Sequence, residues 1–284
     1  MKAFIDIGSN SVRMMIEKDG KTIEKYLLTT RLAEGKKDGF LCAKSSLRTL
    51  KGISEFVEMA KEKGANEIYA FATAAVRNSV NGKEFVDSVK NSCGIEIKVL
   101  TGEQEAFIGA LGALRGKDGG LIDIGGGSTE IAVIKGGKTV YLKSLPFGAV
   151  VLKERFGENS AAMEKFLALE TQKFGVVPAS EFYAIGGTAT SLAAICLKLD
   201  RYSPEKVDGY YFKKSDIDFV TREICAKTVE ERKSYKSLQR ERADIIHAGA
   251  CVLRAVTDYL GVGGVTVSES DNLEGYALYL SEKL

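Results

Sequence analysis

The chain has 284 residues, of which 45% are hydrophobic and 27% are charged, and its formal net charge at pH 7 is +2. A chain of this length exceeds the usual size of one hydrophobic core, which predicts two domains of roughly 120 to 150 residues each. The near-neutral charge argues against nucleic acid or a membrane surface as a partner, and no apolar run approaches the ~20 residues of a membrane helix.

The first half of the chain is predicted to form a β-meander followed by alternating helices and strands. Apolar residues alternate or run together in the predicted strands 3–6, 12–17, 23–30, 68–72 and 95–100. They recur every three to four positions in the predicted helices 44–63, 85–92 and 104–114. The segment Lys-Asp-Gly-Gly at 117–120 predicts the hinge between the two domains.

The second half repeats the meander and continues with more helices. Strands are predicted at 121–124, 131–135, 139–145, 182–185 and 265–267. Helices are predicted at 150–156, 161–174, 189–199, 214–223, 243–259 and 273–284. The repeat is one of architecture rather than of individual residues, so the two domains are expected to share one α/β layout.

The segment from 121 to 131 carries the strongest chemical signal. An apolar strand runs into Asp123, followed by three glycines at 125–127, Ser128 and, two residues later, Glu130. We expect the glycines to adopt backbone angles that other residues avoid, so that several N–H groups converge on one anion. Asp123 would then face that anion across a cation. A flexible hairpin turn is the alternative interpretation.

The same design occurs at the N-terminus, where Asp6 and Gly8 follow a strand and precede Ser9, Asn10 and Ser11. A third turn, Gly186-Gly187-Thr188, follows a strand and opens a predicted helix. Two such hairpins and a later glycine turn resemble the actin, sugar kinase and Hsp70 ATPase superfamily. The resemblance implies a two-domain, ribonuclease H-like α/β fold in which each domain is a mixed sheet flanked by helices.

Seven motifs in order also resemble the exopolyphosphatase/guanosine pentaphosphate phosphohydrolase (Ppx/GppA) family over nearly the whole chain. They lie at 6–11, 31–35, 72–77 with Asn81, 102–106, 123–130, 145–149 and 242–249. The resemblance implies a first domain over 1–117, a second over 118–272, and a last helix at 273–284 that crosses back to the first. The chain is interpreted as a short form of the family, without the C-terminal extension of its larger members.

The resemblance also implies a role for each candidate residue. Glu105 would activate the attacking water, and Asp6, Asp123 and Glu130 would hold Mg²⁺, with Asp123 and Glu130 also counted as catalytic. The phosphate-binding candidates are Ser9, Asn10, Ser11, Arg77, Gly125, Gly126, Gly127 and Ser128. The turn at Gly186, Gly187 and Thr188 corresponds to the adenosine-binding element of the kinases.

Structural alternatives to these roles remain open. The aspartates would cap turns, Glu105 would only favour a helix N-terminus, Arg77 would be an exposed helix residue, and 186–188 would be a simple strand-to-helix turn. The single histidine, His247, lies far from any serine motif, which argues against a Ser-His-Asp hydrolase.

The implied function is hydrolysis of the terminal phosphoanhydride of inorganic polyphosphate or guanosine pentaphosphate. An ATP-dependent small-molecule kinase of the same superfold and a non-enzymatic polyphosphate or nucleotide sensor are the alternatives. Leu273 stands where the family commonly has arginine, and Val150 and Val151 stand where Arg or Thr often occurs. These departures predict a preference for short polyphosphates or a guanosine polyphosphate as the substrate, with distributive release of the shortened products.

The five cysteines, at 42, 93, 196, 225 and 251, are widely spaced and include no C-x-x-C pair. They are expected to be reduced structural thiols rather than zinc ligands or disulfides. The N-terminus enters a strand directly, without the pattern of a signal peptide, so a cytoplasmic protein is expected. A homodimer is left open.

Overall fold

Two mixed β-sheets with the same core order organise the chain, which a computed structural model describes over residues 1–281. The first sheet has the spatial order β3-β2-β1-β4-β5. Its strands are β1 (Lys2–Ile7), β2 (Ser11–Lys18), β3 (Lys21–Thr29), β4 (Glu67–Ala72) and β5 (Ile97–Val99). Strands β1 to β3 form an antiparallel meander, and β4 and β5 continue the sheet in parallel to β1.

The second sheet repeats this arrangement and adds one strand at its edge. Its strands are β6 (Gly119–Ile124), β7 (Thr129–Lys135), β8 (Lys138–Leu145), β9 (Phe182–Ile185), β10 (Tyr211–Lys213) and β11 (Gly264–Val267). Their order is β10-β11-β9-β6-β7-β8. Strands β6 to β8 form the meander, β9 and β11 run parallel to β6, and β10 pairs antiparallel to β11. The predicted fold class is therefore confirmed.

Twelve α-helices are present in residues 1–281. They are α1 (Ala43–Glu62), α2 (Ala74–Arg77), α3 (Gly82–Cys93), α4 (Gly102–Leu114), α5 (Ala149–Phe156), α6 (Ser160–Glu170), α7 (Gly186–Cys196), α8 (Pro204–Val207), α9 (Lys214–Cys225), α10 (Val229–Arg232), α11 (Ile246–Leu260) and α12 (Asn272–Ser281). In α1 the apolar period places Ile53, Phe56, Val57 and Ala60 on one buried face. None of the described helices combines the length and hydrophobicity of a membrane span.

Several predicted element bounds are wrong. The helix predicted at 189–199 is α7, which begins three residues earlier because the Gly-Gly-Thr turn forms its first turn. The helix predicted at 243–259 is α11, which begins at Ile246. Half of the predicted hinge belongs to β6, because Gly120 pairs with Val133. The helix predicted at 161–174 is α6 followed by a 3-10 turn over Thr171–Phe174. Positions 282–284 of the last predicted helix lie outside the described residues.

Helices α4 and α12 pack against each other between the two sheets. Ala106, Ala110 and Leu114 of α4 pack on Leu121 and Ala132 of the second sheet. Leu273 and Tyr276 of α12 join Phe4, Met15 and Phe71 of the first sheet in a common core. The N-terminal ends of both helices therefore reach the region where the hairpins β1–β2 and β6–β7 approach each other.

Candidate active site

The two glycine hairpins have the same turn and pack against each other. In the first, the Gly8 amide donates to Ser11 O at 3.0 Å, and in the second Gly125 donates to Ser128 O at the same distance. The predicted backbone angles are wrong, because none of glycines 125–127 has a positive φ. The need for glycine comes from close approach instead: a Cβ on Gly127 would lie 2.7 Å from Ser9 Oγ.

Neighbouring loops engage the hairpin carbonyls. Asn10 O accepts from the amides of Thr30 at 3.1 Å and Arg31 at 2.7 Å, and Gly126 O accepts from Val150 at 2.9 Å. The amides of Asn10 and Gly126 donate no hydrogen bond to any residue in 1–281. Each turn therefore keeps at least one amide donor available while the carbonyl of the same residue is occupied, which is the arrangement that an anion-binding turn requires.

A cavity of about 100 Å³ lies between the hairpins. Most of the predicted site residues line it, namely Asp6, 9–11, Glu105, Asp123, 125–128 and 186–188. Glu130 and Arg77 do not line it. The sequence therefore predicted most of the cavity wall. It did not predict that Arg13, Arg242 and Asn272 complete it.

Three buried carboxylates meet beside the cavity. One oxygen from each of Glu105, Asp123 and Glu130 lies within 4.8 Å of the other two. Asp123 and Glu130 are cross-strand partners in β6 and β7, so both side chains point to the same face. Glu130 Oε1 accepts from Ser144 Oγ at 2.6 Å, whereas Oε2 is buried without a hydrogen-bond partner among the described residues.

Asp6, the remaining predicted metal ligand, is held differently. Its Oδ2 accepts from Arg13 Nε at 3.1 Å, and Arg13 also pairs with Asp271. Asp6 Oδ1 is buried without a partner in 1–281. Asn272 Nδ2 donates to Asp123 Oδ2 at 2.8 Å, so the start of α12 contacts the aspartate of the second hairpin directly and that of the first only through the Asp271–Arg13 pair. Asp6 is thus ion-paired and lies outside the three-carboxylate group of the described residues.

Glu105 lies in the first turn of α4 and is 5% exposed. A capping box formed by Thr101 and Gln104 fixes the start of that helix. Arg77 Nη1 donates to Glu105 Oε2 at 2.7 Å and to Leu100 O at 2.9 Å. Arg77 therefore orients the carboxylate predicted to act as the base. Its predicted contact with phosphate stays a prediction.

Burial dominates the electrostatics of this cluster. It raises the pKa of Glu105 to about 7, against the lowering effect of Arg77, and the charge of Asp123 adds to the increase. Burial likewise raises the pKa of Asp123 to about 6 and that of Glu130 well above its ordinary value. Clustered oxygen ligands with an unpartnered Glu130 Oε2 fit a hard divalent cation such as Mg²⁺, whose charge would favour the ionised carboxylates.

Arg242, an arginine at the edge of the cavity, has no carboxylate partner within residues 1–281. Among the described residues the only hydrogen bond of its side chain is from Nε to Gln239 Oε1 at 3.0 Å. Its guanidinium packs on Gly187, where a Cβ would lie 2.0 Å from Nη1. Burial and the nearby charge of Arg13 lower the pKa of Arg242 to about 10. Arg242 also lines an adjacent groove of about 1280 Å³, so it stands where the two spaces meet.

Comparison with known proteins agrees with this geometry. A model of the Ppx/GppA phosphatase family matches residues 14–282. A crystal structure of the Aquifex aeolicus member of that family has a TM-score of 0.82 and 30% identity, covering 99% of this chain and 97% of the other. The two structures therefore share the fold over their full length.

Three curated relatives are similar over almost the entire chain. An exopolyphosphatase 2 from Mycobacterium tuberculosis is 28% identical, with 98% of both chains covered. A bifunctional 3-dehydroquinate synthase/phosphatase from Fusobacterium nucleatum is 30% identical over 98% of this chain but only 46% of its own length. A guanosine-5'-triphosphate,3'-diphosphate pyrophosphatase from Photobacterium profundum is 27% identical, covering 99% of this chain and 59% of the relative.

Proposed function

The chain belongs to the Ppx/GppA phosphatase family, and we propose that it is a Mg²⁺-dependent hydrolase of the terminal phosphate of polyphosphate or guanosine pentaphosphate. The observation that carries this proposal is the group Glu105, Asp123 and Glu130, whose oxygens lie within 4.8 Å of one another beside two glycine hairpins. Phosphoanhydride hydrolysis needs donors for the phosphate oxygens, a cation and an acceptor for the proton of water. The site offers residues for all three.

In this proposal the hairpin amides and the hydroxyls of Ser9, Ser11 and Ser128 bind the terminal phosphate. Asp123 and Glu130 hold the cation, which supplies charge neutralisation to the phosphate oxygens. Asp6, on the opposite hairpin, contributes Oδ1 to the cation, because this oxygen has no hydrogen-bond partner among the described residues. Arg77 fixes Glu105 through Oε2, so Oε1 is left to accept the proton from the attacking water. The bound cation would favour the ionised form of Glu105, which is the form that accepts a proton.

The charges around the larger groove support a short substrate. Its lining includes five basic residues, Lys2, Arg13, Lys25, Arg115 and Arg242, and five acidic ones, Glu17, Asp19, Glu269, Asp271 and Glu274. A long polyanion needs an unbroken cationic path, and a lining with equal numbers of basic and acidic residues does not favour one. Leu273, at the usual arginine position, is 1% exposed and packs in the core. We therefore propose a preference for short polyphosphate or a guanosine polyphosphate, with distributive release.

An ATP-dependent kinase is the second candidate. It is favoured by the groove of about 1280 Å³ that adjoins the Gly186-Gly187 turn, because a groove of this volume can accommodate a nucleoside. Glu105 could activate either water or an alcohol, and hydrolysis is favoured by the similarity to an exopolyphosphatase and a pyrophosphatase.

The deciding experiment measures phosphate release with Mg²⁺ from long polyphosphate, short polyphosphate, guanosine pentaphosphate and ATP. We expect release from short polyphosphate or guanosine pentaphosphate, and a loss of about 100-fold or more in kcat for Glu105→Gln at unchanged substrate binding. Glu103→Gln, an exposed position in the same helix turn, is the matched control and should retain activity.

Release from none of the four substrates, or normal turnover by Glu105→Gln, would contradict the proposal. Phosphate transfer from ATP to an acceptor without free phosphate would favour the kinase. Gel electrophoresis of partly digested long polyphosphate tests the mode of release. A ladder of intermediates is expected, and full-length substrate beside free phosphate would show processivity.

A further inference from the structure

Two cysteines of the second domain lie in contact. Cys225, the last residue of α9, has its Sγ 3.7 Å from the Sγ of Cys251 in α11. Cys251 is 1% exposed, whereas Cys225 is partly exposed and reachable from solvent. The other cysteines, at 42, 93 and 196, have no second sulfur in contact within residues 1–281. The pair is therefore distinct from the other three thiols.

The surroundings make the two thiols unequal. Contact with Cys251, together with the positive charges of Arg232 and Arg254, lowers the pKa of Cys225 despite partial burial, and Glu164 opposes this effect. The same contact and deeper burial raise the pKa of Cys251. Since the thiolate is the reactive form, Cys225 is the thiol that an oxidant attacks first, with a second thiol beside it.

We propose that Cys225 and Cys251 form an oxidisable dithiol site that reacts with hydroperoxides and closes to a disulfide. The Cys225 thiolate attacks one peroxide oxygen, the O–O bond breaks, and Cys225 becomes a sulfenic acid while the other oxygen leaves and is protonated to water or an alcohol. The Cys251 thiol then attacks the Cys225 sulfur. The S–O bond breaks, the S–S bond forms, and the hydroxyl leaves as water with the Cys251 proton.

The geometry requires little rearrangement. The sulfurs must approach from 3.7 Å to about 2.0 Å, and both lie on packed helices that bring them together in the reduced state. The bond would close a loop containing Arg242 and Asp244, which precede α11. Closing a loop of this size restricts the unfolded chain, so oxidation is expected to raise the melting temperature.

The test treats the full chain with hydrogen peroxide, blocks the remaining thiols and digests it with trypsin without reductant. Mass spectrometry should find peptide 223–227 linked to peptide 243–254, and thiol titration should show loss of two of five thiols, restored by dithiothreitol. Cys225→Ser and Cys251→Ser should each abolish the linked peptide. Cys93→Ser, a partly exposed thiol in the first domain, is the matched control and should retain it.

Three results with the wild-type protein would each contradict the proposal. Five free thiols after peroxide would do so. So would oxidation of Cys225 to a sulfinic acid without the linked peptide, or a disulfide that joins two copies of the chain. A rise in melting temperature on oxidation of the wild type and Cys93→Ser, but not of Cys225→Ser, would support it.

Discussion

The two hairpins place an aspartate at the same register but give it different partners. In the first, Asp6 lies opposite Arg13 across β1 and β2, and in the second Asp123 lies opposite Glu130 across β6 and β7. In the first pair the charges of Asp6 and Arg13 neutralise each other. In the second pair both residues are carboxylates, and Glu105 brings a third carboxylate close to them. Because like charges in a buried site repel, we expect a cation to bind at the second hairpin rather than at the first.

Metal removal should therefore change how stability depends on pH. The folded-state pKa values of Glu105, about 7, and Asp123, about 6, lie above their ordinary values of 4.5 and 3.8. Without a cation the folded chain binds more protons than the unfolded chain between these limits, so its stability falls as pH rises through them. We expect Mg²⁺ to raise the melting temperature more at pH 8 than at pH 5 in differential scanning fluorimetry. An equal shift at both values would argue against a cation among these carboxylates.

Arg242 provides a second residue-level prediction. Its guanidinium has no carboxylate partner among the described residues and stands between the small cavity and the groove, where a phosphate behind the scissile one would lie. A hydrogen bond to a charged group contributes about 1.5 to 3 kcal/mol, so Arg242→Gln should raise KM by roughly tenfold or more. Arg240→Gln, an exposed arginine in the same turn, is the control. Equal KM values for the two variants would remove Arg242 from substrate binding.

At the level of elements, the sequence predicted the helices and strands that are long enough to show an apolar period. The two meanders and α1 have clear apolar patterns, whereas β10 has three residues and α2, α8 and α10 have four each, too few for a period. The motifs predicted most of the cavity wall, because their glycines and acids adjoin strand ends. Arg13 and Asp271 are 258 positions apart, and no local pattern connects them. The start of α12 reaches the hairpins only in the folded chain, so its contacts could not be predicted from the sequence.

The contact between α4 and α12 is a testable feature of this arrangement. A Cβ on Gly275 would lie 1.8 Å from the Ile108 carbonyl oxygen, so the helices can approach this closely only at a glycine. In an open helix Gly→Ala would stabilise by up to about 1 kcal/mol. We expect Gly275→Ala to destabilise instead, by about 1 to 3 kcal/mol, in urea unfolding. Leu278→Ala, at a position 43% exposed in the same helix, should have a small effect. A stabilised Gly275→Ala would show that the helices do not pack this closely.

At the scale of the whole molecule, the segment after β3 is bonded to the segment before α11 beside the cavity. Arg31 has a left-handed backbone, with φ of 50°, and its amide donates to Asn10 O of the first hairpin. Its guanidinium donates to both carboxylate oxygens of Asp244, at 2.7 and 3.2 Å, and to Glu241 O at 2.8 Å. One residue thus supports the hairpin through its backbone and connects the two segments through its side chain. Any separation of these two segments must break these bonds.

The Arg31–Asp244 pair is therefore expected to favour a closed cleft. Both side chains are about one-third exposed, so solvent weakens the pair, and its removal should shift the closed-to-open ratio by roughly fivefold, near 1 kcal/mol. Arg31→Ala and Asp244→Ala should each increase the radius of gyration in small-angle scattering, and high salt should do the same to the wild type. Lys83→Ala, which removes an exposed pair within α3, is the control. Because the backbone of Arg31 also supports the first hairpin, Asp244→Ala isolates the side-chain effect. Scattering profiles identical to the wild type for both variants would show that other contacts hold the domains together.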